Sequence, residues 1–295
     1  MRKIFTAIIT PFLNKGEIDY QSFKHLLKRQ EEAENGVLIL GSTGENLSFS
    51  LQEKKDLVNF TLEQNLSIPL MIGVGGVNLN ESKEWVSFLN ESANKIDSLL
   101  LTTPMYCKPM RFGQTTWFKE IMDHSKIKCL FYNHPGRSSI ALNKDSVKDL
   151  LHHPQFYGIK ESSGSIQVYQ EFAKIFHESN RSNELALFGG DDPFFHEHMK
   201  FRCEGLISVA SNLWPQEMNL VVTSEDLSMN REALVPFYEA LFKSSNPIPV
   251  KVISSNLGLI STSTLRTPLS NLDFVQSKEE SFAFNKSFLE KIKRP

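Results

Sequence analysis

The sequence is poor in cysteine, in net charge and in long apolar runs, and each shortage removes a class of protein. Its three cysteines, Cys107, Cys129 and Cys203, are odd in number and share no C-x-x-C or other ligand spacing. A disulfide framework and a cysteine-based metal site are therefore not expected, and free thiols in a reducing compartment are. The 32 basic and 34 acidic side chains among 295 residues leave a formal charge of −2. A general nucleic-acid binder would carry a basic excess. No stretch approaches the roughly 20 apolar residues of a membrane span. The start, Met1-Arg2-Lys3 followed by Ile4 to Ile9, imitates a signal peptide, but Pro11 ends the apolar run and no small-residue cleavage site follows. The expectation is a soluble, cytoplasmic protein with no nucleic-acid and no membrane partner, and composition alone is silent about what it does.

Several familiar motifs are missing as well. Gly41-Ser42-Thr43-Gly44-Glu45 is not followed by Gly-Lys-Ser/Thr, so it is not a nucleotide-binding P-loop. Gly73-Val74-Gly75-Gly76 fails as a dinucleotide fingerprint because Asn78 stands at the third glycine position. No Gly-x-Ser-x-Gly nucleophile elbow is present. His196-Glu197-His198 places two imidazoles at i and i+2, which point different ways on a helix. A hydrated helix face is expected there, and no metal.

What the chain does have is rhythm. Short apolar runs begin at residues 6, 37, 70, 98, 129, 157, 185 and 206: Thr6–Thr10, Val37–Leu40, Leu70–Val74, Ser98–Leu101, Cys129–Tyr132, Tyr157–Lys160, Leu185–Phe188 and Leu206–Val209. Most intervals are near 30 residues, room for a strand, a helix and two short loops. The runs lack in–out alternation, as parallel strands covered on both faces do. Asp19 can cap a helix carrying Phe23, Leu26, Leu27 and Gln30, and Ser50 with Glu53 reads as a capping box before Leu57, Val58 and Leu62. Eight even repeats favour a (β/α)8 TIM barrel over an open sheet. The expected division is a barrel over 1–225 and a C-terminal helical extension over 226–295, with a helix-like Arg231–Phe242, a turn-rich Asn246-Pro247-Ile248-Pro249 and a charged periodic tail from Lys278.

Barrel active sites form where the strands end. Polar and glycine residues collect there: Gly41 to Glu45, Thr102 to Tyr106, Tyr132-Asn133, Lys160-Glu161-Ser162, Gly189-Gly190-Asp191-Asp192 and Ser208. Polar turns after strands would look much the same without any activity. Lys160 is the sharpest residue, since an amine closing an apolar run is desolvated, loses basicity and becomes a nucleophile toward a carbonyl. The two hydroxyls and glycine-flanked amides of residues 41–45 could hold a small carboxylate.

These residues resemble the pyruvate-dependent class I aldolases of the dihydrodipicolinate synthase / N-acetylneuraminate lyase family. The resemblance runs from Ala7-Ile8-Ile9-Thr10-Pro11-Phe12 to Leu265-Arg266-Thr267-Pro268-Leu269, through GSTGE at 41–45, TPMYCKP at 103–109, YNHPGR at 132–137, GIKESSG at 158–164, GGDD at 189–192, GLISVASN at 205–212 and NPIPVK at 246–251. It implies a Schiff base between Lys160 and pyruvate, with Tyr132 relaying protons. Ser42 would link Tyr132 to Tyr106, the latter supplied by a neighbouring subunit. Thr43 would hold the pyruvate carboxylate, Ile207 would lend a carbonyl and Gly190 would line the substrate pocket. The resemblance further implies a homo-oligomer, a dimer or dimer of dimers. It implies no cofactor, because the lysine imine is itself the electron sink.

Within the family, Arg137 stands where the synthases place the arginine that receives the carboxylate of L-aspartate-4-semialdehyde. Pro193 stands where the sialic acid lyases use a glutamate, whereas Ser42 matches the lyases. The leading expectation is the synthase reaction on the route to diaminopimelate and lysine. The alternatives are a pyruvate aldolase acting on N-acetylneuraminate or 2-keto-3-deoxygluconate, and a non-catalytic keto-acid-binding barrel. Leu51, Lys54 and Ser82 replace the groups that hold inhibitory lysine in regulated synthases, so feedback by lysine is expected to be weak or absent.

Overall fold

The computed structural model describes residues 3–225 and 229–292. Eight parallel strands form a closed barrel in sequence order: β1 Lys3–Ala7, β2 Gly36–Ile39, β3 Leu70–Val74, β4 Ser98–Thr102, β5 Cys129–Asn133, β6 Phe156–Glu161, β7 Ala186–Gly189 and β8 Gly205–Ser208. The (β/α)8 expectation is met. Every residue of β2, β3, β5, β7 and β8 is buried, which is why these runs read as unbroken apolar stretches.

The first strand lies earlier than expected, at Lys3–Ala7. Beyond it the backbone is satisfied by a side chain: Asn212 Oδ1 accepts from Ile9 N–H at 3.0 Å, and its Nδ2 donates to Ala7 O and Val209 O, both at 2.9 Å. Ile8 and Ile9 are thus buried without being strand.

Helix Tyr20–Glu32 starts at Asp19, whose carboxylate accepts from Ser22 N–H at 3.0 Å, and buries Phe23, Leu26, Leu27 and Gln30 as the pattern predicts. The Ser50/Glu53 capping box opens helix Leu51–Glu63. There Thr61, bonded back to Leu57 O at 2.7 Å, takes the buried place expected for Leu62. Asn246 to Pro249 is not merely a turn. Ile248 and Pro249 begin helix Ile248–Asn256, and proline is at home in a first turn because no N–H is needed there. The Arg231–Phe242 stretch is a 3₁₀ turn, Arg231–Leu234, followed by a short α-helix, Val235–Ala240.

The chain falls into two compact units. One holds the described residues of Met1–Pro69 and Ile207–Pro295, the other Leu70–Leu206. In the second, Phe118 stacks on Phe131 at 4.0 Å between helix Arg111–His124 and β5. Gly158 lets β6 pair with β7, since a Cβ there would sit 1.9 Å from Ala186 O. In the first, Trp214 stacks on Phe288 of helix Lys278–Ile292 at 3.7 Å. The expected 225/226 boundary adjoins residues 226–228, and Met1 and Arg2 precede Lys3; all five lie outside the described residues. Among the described residues no helix is long and apolar enough to cross a membrane.

Candidate active site

In the Leu70–Leu206 unit the chemistry gathers at the ends of β4, β5 and β6. Thr102 pairs with Tyr132, and Tyr132 with Lys160, in the ladder register. Lateral partners in a parallel sheet project to the same face, so the three form a row across neighbouring strands. Lys160 is only 4% exposed, and its Nζ lies 4.5 Å from the centroid of the Tyr132 ring. Burial pushes the Lys160 amine below its ordinary pKa. Asp191 and Asp192 oppose that shift, and the Arg137 cation reinforces it. Burial moves Asp191 the other way, raising its carboxyl, with Lys160 opposing. An amine that keeps a neutral fraction near physiological pH is suited to carbonyl attack.

Gly190 is what makes room for that lysine. A Cβ at this position would lie 1.9 Å from Ser162 Oγ, 2.6 Å from Lys160 Cε and 3.0 Å from Lys160 Cγ. The resemblance implies that Gly190 lines the substrate pocket; the structure sets it against the Lys160 side chain. Below it, Glu161 is locked in a buried lattice. Its Oε2 accepts from Asn133 Nδ2 at 2.5 Å and its Oε1 from Ser163 N–H at 2.6 Å, while Asn133 Oδ1 accepts from Leu142 N–H at 2.8 Å. These bonds fix the β5 and β6 ends that carry Tyr132 and Lys160.

The same strand ends carry polar atoms with nothing to bond. Thr102 Oγ1, Thr103 Oγ1, His134 Nδ1 and Ser162 Oγ are buried and have no hydrogen-bond partner among the described residues. Each such atom costs on the order of 1–3 kcal/mol if left unmet, so these four are available to a polar ligand or to water. His134 packs edge-on to Tyr132 at 5.7 Å, and burial pushes its imidazole down to about 4, so it is neutral at physiological pH. Arg137 is exposed on the short helix Pro135–Ser138 that follows β5.

Tyr106 stands apart from this cluster. It has φ +67°, is 91% exposed, and is accompanied by the exposed side chains of Cys107, Met110 and Phe112. Helix residues His196 and His198 do not form the hydrated face expected of them. His198 is buried, stacked 4.0 Å from Tyr169, and burial pushes it down to about 4.

In the other unit, Ser42 and Thr43 follow β2 in a tight turn, with Gly44 N–H bonded to Gly41 O and Glu45 N–H to Ser42 O, both at 3.1 Å. Ser42 is half-buried and Thr43 buried. Thr43 Oγ1 accepts from Asn246 Nδ2 at 2.9 Å. Ile207 is fully buried in β8. Two buried groupings were missed by motif, the Glu161 carboxylate with the Asn133 amide and the Glu45–Lys251 ion pair. Both stand inside the quoted motifs, but spacing alone gave them no partner.

The sequence pattern of the dihydrodipicolinate synthetase family matches residues 1–284. A 4-hydroxy-tetrahydrodipicolinate synthase from Wolbachia pipientis wMel is 39% identical over 289 residues, covering 97% of this chain and 96% of that one. Among solved structures, the 4-hydroxy-tetrahydrodipicolinate synthase of Methylacidiphilum fumariolicum SolV superposes with a TM-score of 0.87 at 27% identity, covering 99% of this chain and 96% of that one. The chloride-inhibited dihydrodipicolinate synthase of Acinetobacter baumannii, solved with pyruvate, superposes with a TM-score of 0.86 at 27% identity, covering 99% and 98%.

Proposed function

The chain belongs to the dihydrodipicolinate synthetase family, and from that premise we propose that it condenses pyruvate with L-aspartate-4-semialdehyde on the route to diaminopimelate and lysine. The observation that carries this reading is the buried Lys160 amine, depressed in basicity and set against the Tyr132 ring among unpaired polar atoms. The names of the relatives favour the synthase over a sugar-acid aldolase. A barrel that only bound a keto acid would have no use for a buried amine of lowered basicity.

In this proposal the Lys160 amine adds to the pyruvate carbonyl, and loss of water from the carbinolamine leaves the imine. Removal of a methyl proton gives the enamine, whose carbon attacks the aldehyde of the second substrate. Tyr132 carries protons for these steps, with Ser42 and Tyr106 assigned to its hydroxyl relay. Thr43 is assigned to the pyruvate carboxylate, Ile207 to a backbone carbonyl of the pocket, and Arg137 to the carboxylate of the semialdehyde. The enzyme is proposed to work in the cytoplasm as a homo-oligomer, dimer or dimer of dimers. The support for that is Tyr106 at 91% exposure beside Met110 at 74% and Phe112 at 77%, an apolar cluster suited to a second copy.

Borohydride reduction in the presence of pyruvate tests the core of the reading. A pyruvyl adduct is expected on Lys160, and mass spectrometry that finds Lys160 unmodified would refute the mechanism. Arg137→Ala is expected to raise the half-saturating concentration of L-aspartate-4-semialdehyde by about tenfold or more, with pyruvate trapping retained. Loss of trapping instead would remove Arg137 from its assigned role.

A further inference from the structure

Glu45 ends the Gly41–Glu45 turn with φ +60° and is 6% exposed. Its Oε1 accepts from Lys251 Nζ at 2.5 Å, and its Oε2 from Arg266 N–H at 2.9 Å. Lys251 is wholly buried; its Nζ also donates to Thr264 O at 2.9 Å and lies 4.1 Å from the Phe12 ring centroid. Arg266 extends the network, donating to Ser48 O at 3.0 Å, to Gly16 O and to Glu53. Stability alone does not ask for such a pair, because well-packed apolar replacements of buried ion pairs are often neutral or better. The pair does fix where helix Ile248–Asn256 sits against the turn.

That register matters through Asn246, just before the helix. Its Nδ2 donates to Thr43 Oγ1 at 2.9 Å. A hydroxyl that accepts from an amide keeps its own proton for another acceptor. Asn246 thereby makes Thr43 a donor, the polarity a bound carboxylate needs. A side chain that slipped away would let the Thr43 hydroxyl turn to other partners.

We propose that the buried Lys251–Glu45 pair is a positioning device for the carboxylate-holding turn: it pins helix Ile248–Asn256 to Glu45 and so keeps Asn246 on Thr43. The proposal rests on the assignment of Thr43 to the pyruvate carboxylate. Lys251 and Glu45 are positioning residues, acting through Asn246 and the turn.

The test is the double variant Glu45→Gln/Lys251→Met, which removes both charges together and leaves neither one stranded. Half-saturation by pyruvate is expected to rise by about tenfold, the worth of one well-placed hydrogen bond. Half-saturation by L-aspartate-4-semialdehyde should move less than about twofold, and kcat should fall by less than pyruvate half-saturation rises. A merely structural pair would lower the melting temperature and leave the two substrates equally affected. Pyruvate half-saturation unchanged in a folded double variant overturns the proposal. Should the double variant not fold, Glu45→Gln alone carries the same comparison. Thr43→Val is measured alongside. If it raises pyruvate half-saturation and the pair variants do not, the positioning role alone falls. If Thr43→Val has no effect, the carboxylate assignment falls and takes the positioning role with it.

Discussion

Gly190→Ala is the substitution whose outcome the structure constrains most tightly. The new methyl group would lie 1.9 Å from Ser162 Oγ and 2.6 Å from Lys160 Cε, where ordinary van der Waals contact begins near 3.4 Å. The serine can yield, since its hydroxyl is bonded to nothing among the described residues. The lysine cannot yield freely, because it is 4% exposed and closes a buried strand. Its Cε must retreat by roughly 1 Å, and a misplacement of that size costs on the order of 10²-fold in rate. Overpacking should also lower stability by about 1–3 kcal/mol. The assay is the rate of borohydride-trapped pyruvate adduct in a single turnover, beside a thermal melt. Adding Ser162→Ala removes the shorter contact and leaves the contact with Lys160. It is expected to recover much of the stability and little of the rate. Adduct formation by Gly190→Ala at the unmodified rate would refute the reasoning. Recovery of rate together with stability in the double variant would shift the cost from Lys160 to Ser162.

Three further outcomes follow from the same structure. In the proposed mechanism the neutral amine of Lys160 is the reactive form, so adduct formation should rise with pH and level off below the 10.5 of an ordinary lysine; Asp191→Asn, which removes an opposing anion, should move the midpoint down, and Arg137→Ala should move it up. Midpoints that stay fixed in rate–pH profiles of both variants would contradict this. Hydrogen bonding to Arg266 holds the Glu53 carboxyl down at about 2, so its contribution to stability is present above about 4.5 and lost as pH falls toward 2; acid unfolding of Glu53→Gln should show a shallower decline across that window. Asn212→Ala strips three buried backbone groups of their partner and is expected to cost roughly 3 kcal/mol in urea denaturation, a loss under 1 kcal/mol arguing that water replaces the amide.

The barrel was legible because both-face burial writes each strand as a short β-branched run, and the interval between runs counts the helices. The first strand was misplaced because Ile8 and Ile9 are as apolar as strand residues, yet Ile9 N–H bonds to Asn212, a side chain some two hundred positions away. Asn246 to Pro249 misled for a local reason: proline signals a break, but in a first turn it starts a helix. His198 escaped because its burial depends on Tyr169 stacking from another helix. At the candidate site, the strand-end places of Lys160 and Tyr132 were readable from the run ends, and the role proposed for Tyr132 came from the resemblance alone. Gly190 was found by motif, but its fit against Lys160 exists only in three dimensions.

Among the described residues two lysines are buried, and burial alone does not say which one the proposed mechanism uses. Lys251 is the more deeply buried, at 0% against 4%, and burial pushes it down to about 8. A scan for buried, depressed lysines would choose it as readily as Lys160. Their partners separate them. Lys251 has a carboxylate at 2.5 Å and a carbonyl at 2.9 Å, so its protons are committed and its lone pair is not available. Lys160 has no ion pair among the described residues. It meets Asp191 and Asp192 only through their fields, and the missing side chain at Gly190 leaves it space. A lysine held by a carboxylate fixes a structure, and a desolvated lysine without an ion pair can form a bond. Borohydride trapping should therefore label Lys160 and leave Lys251 untouched. A pyruvyl group on Lys251 would overturn the distinction.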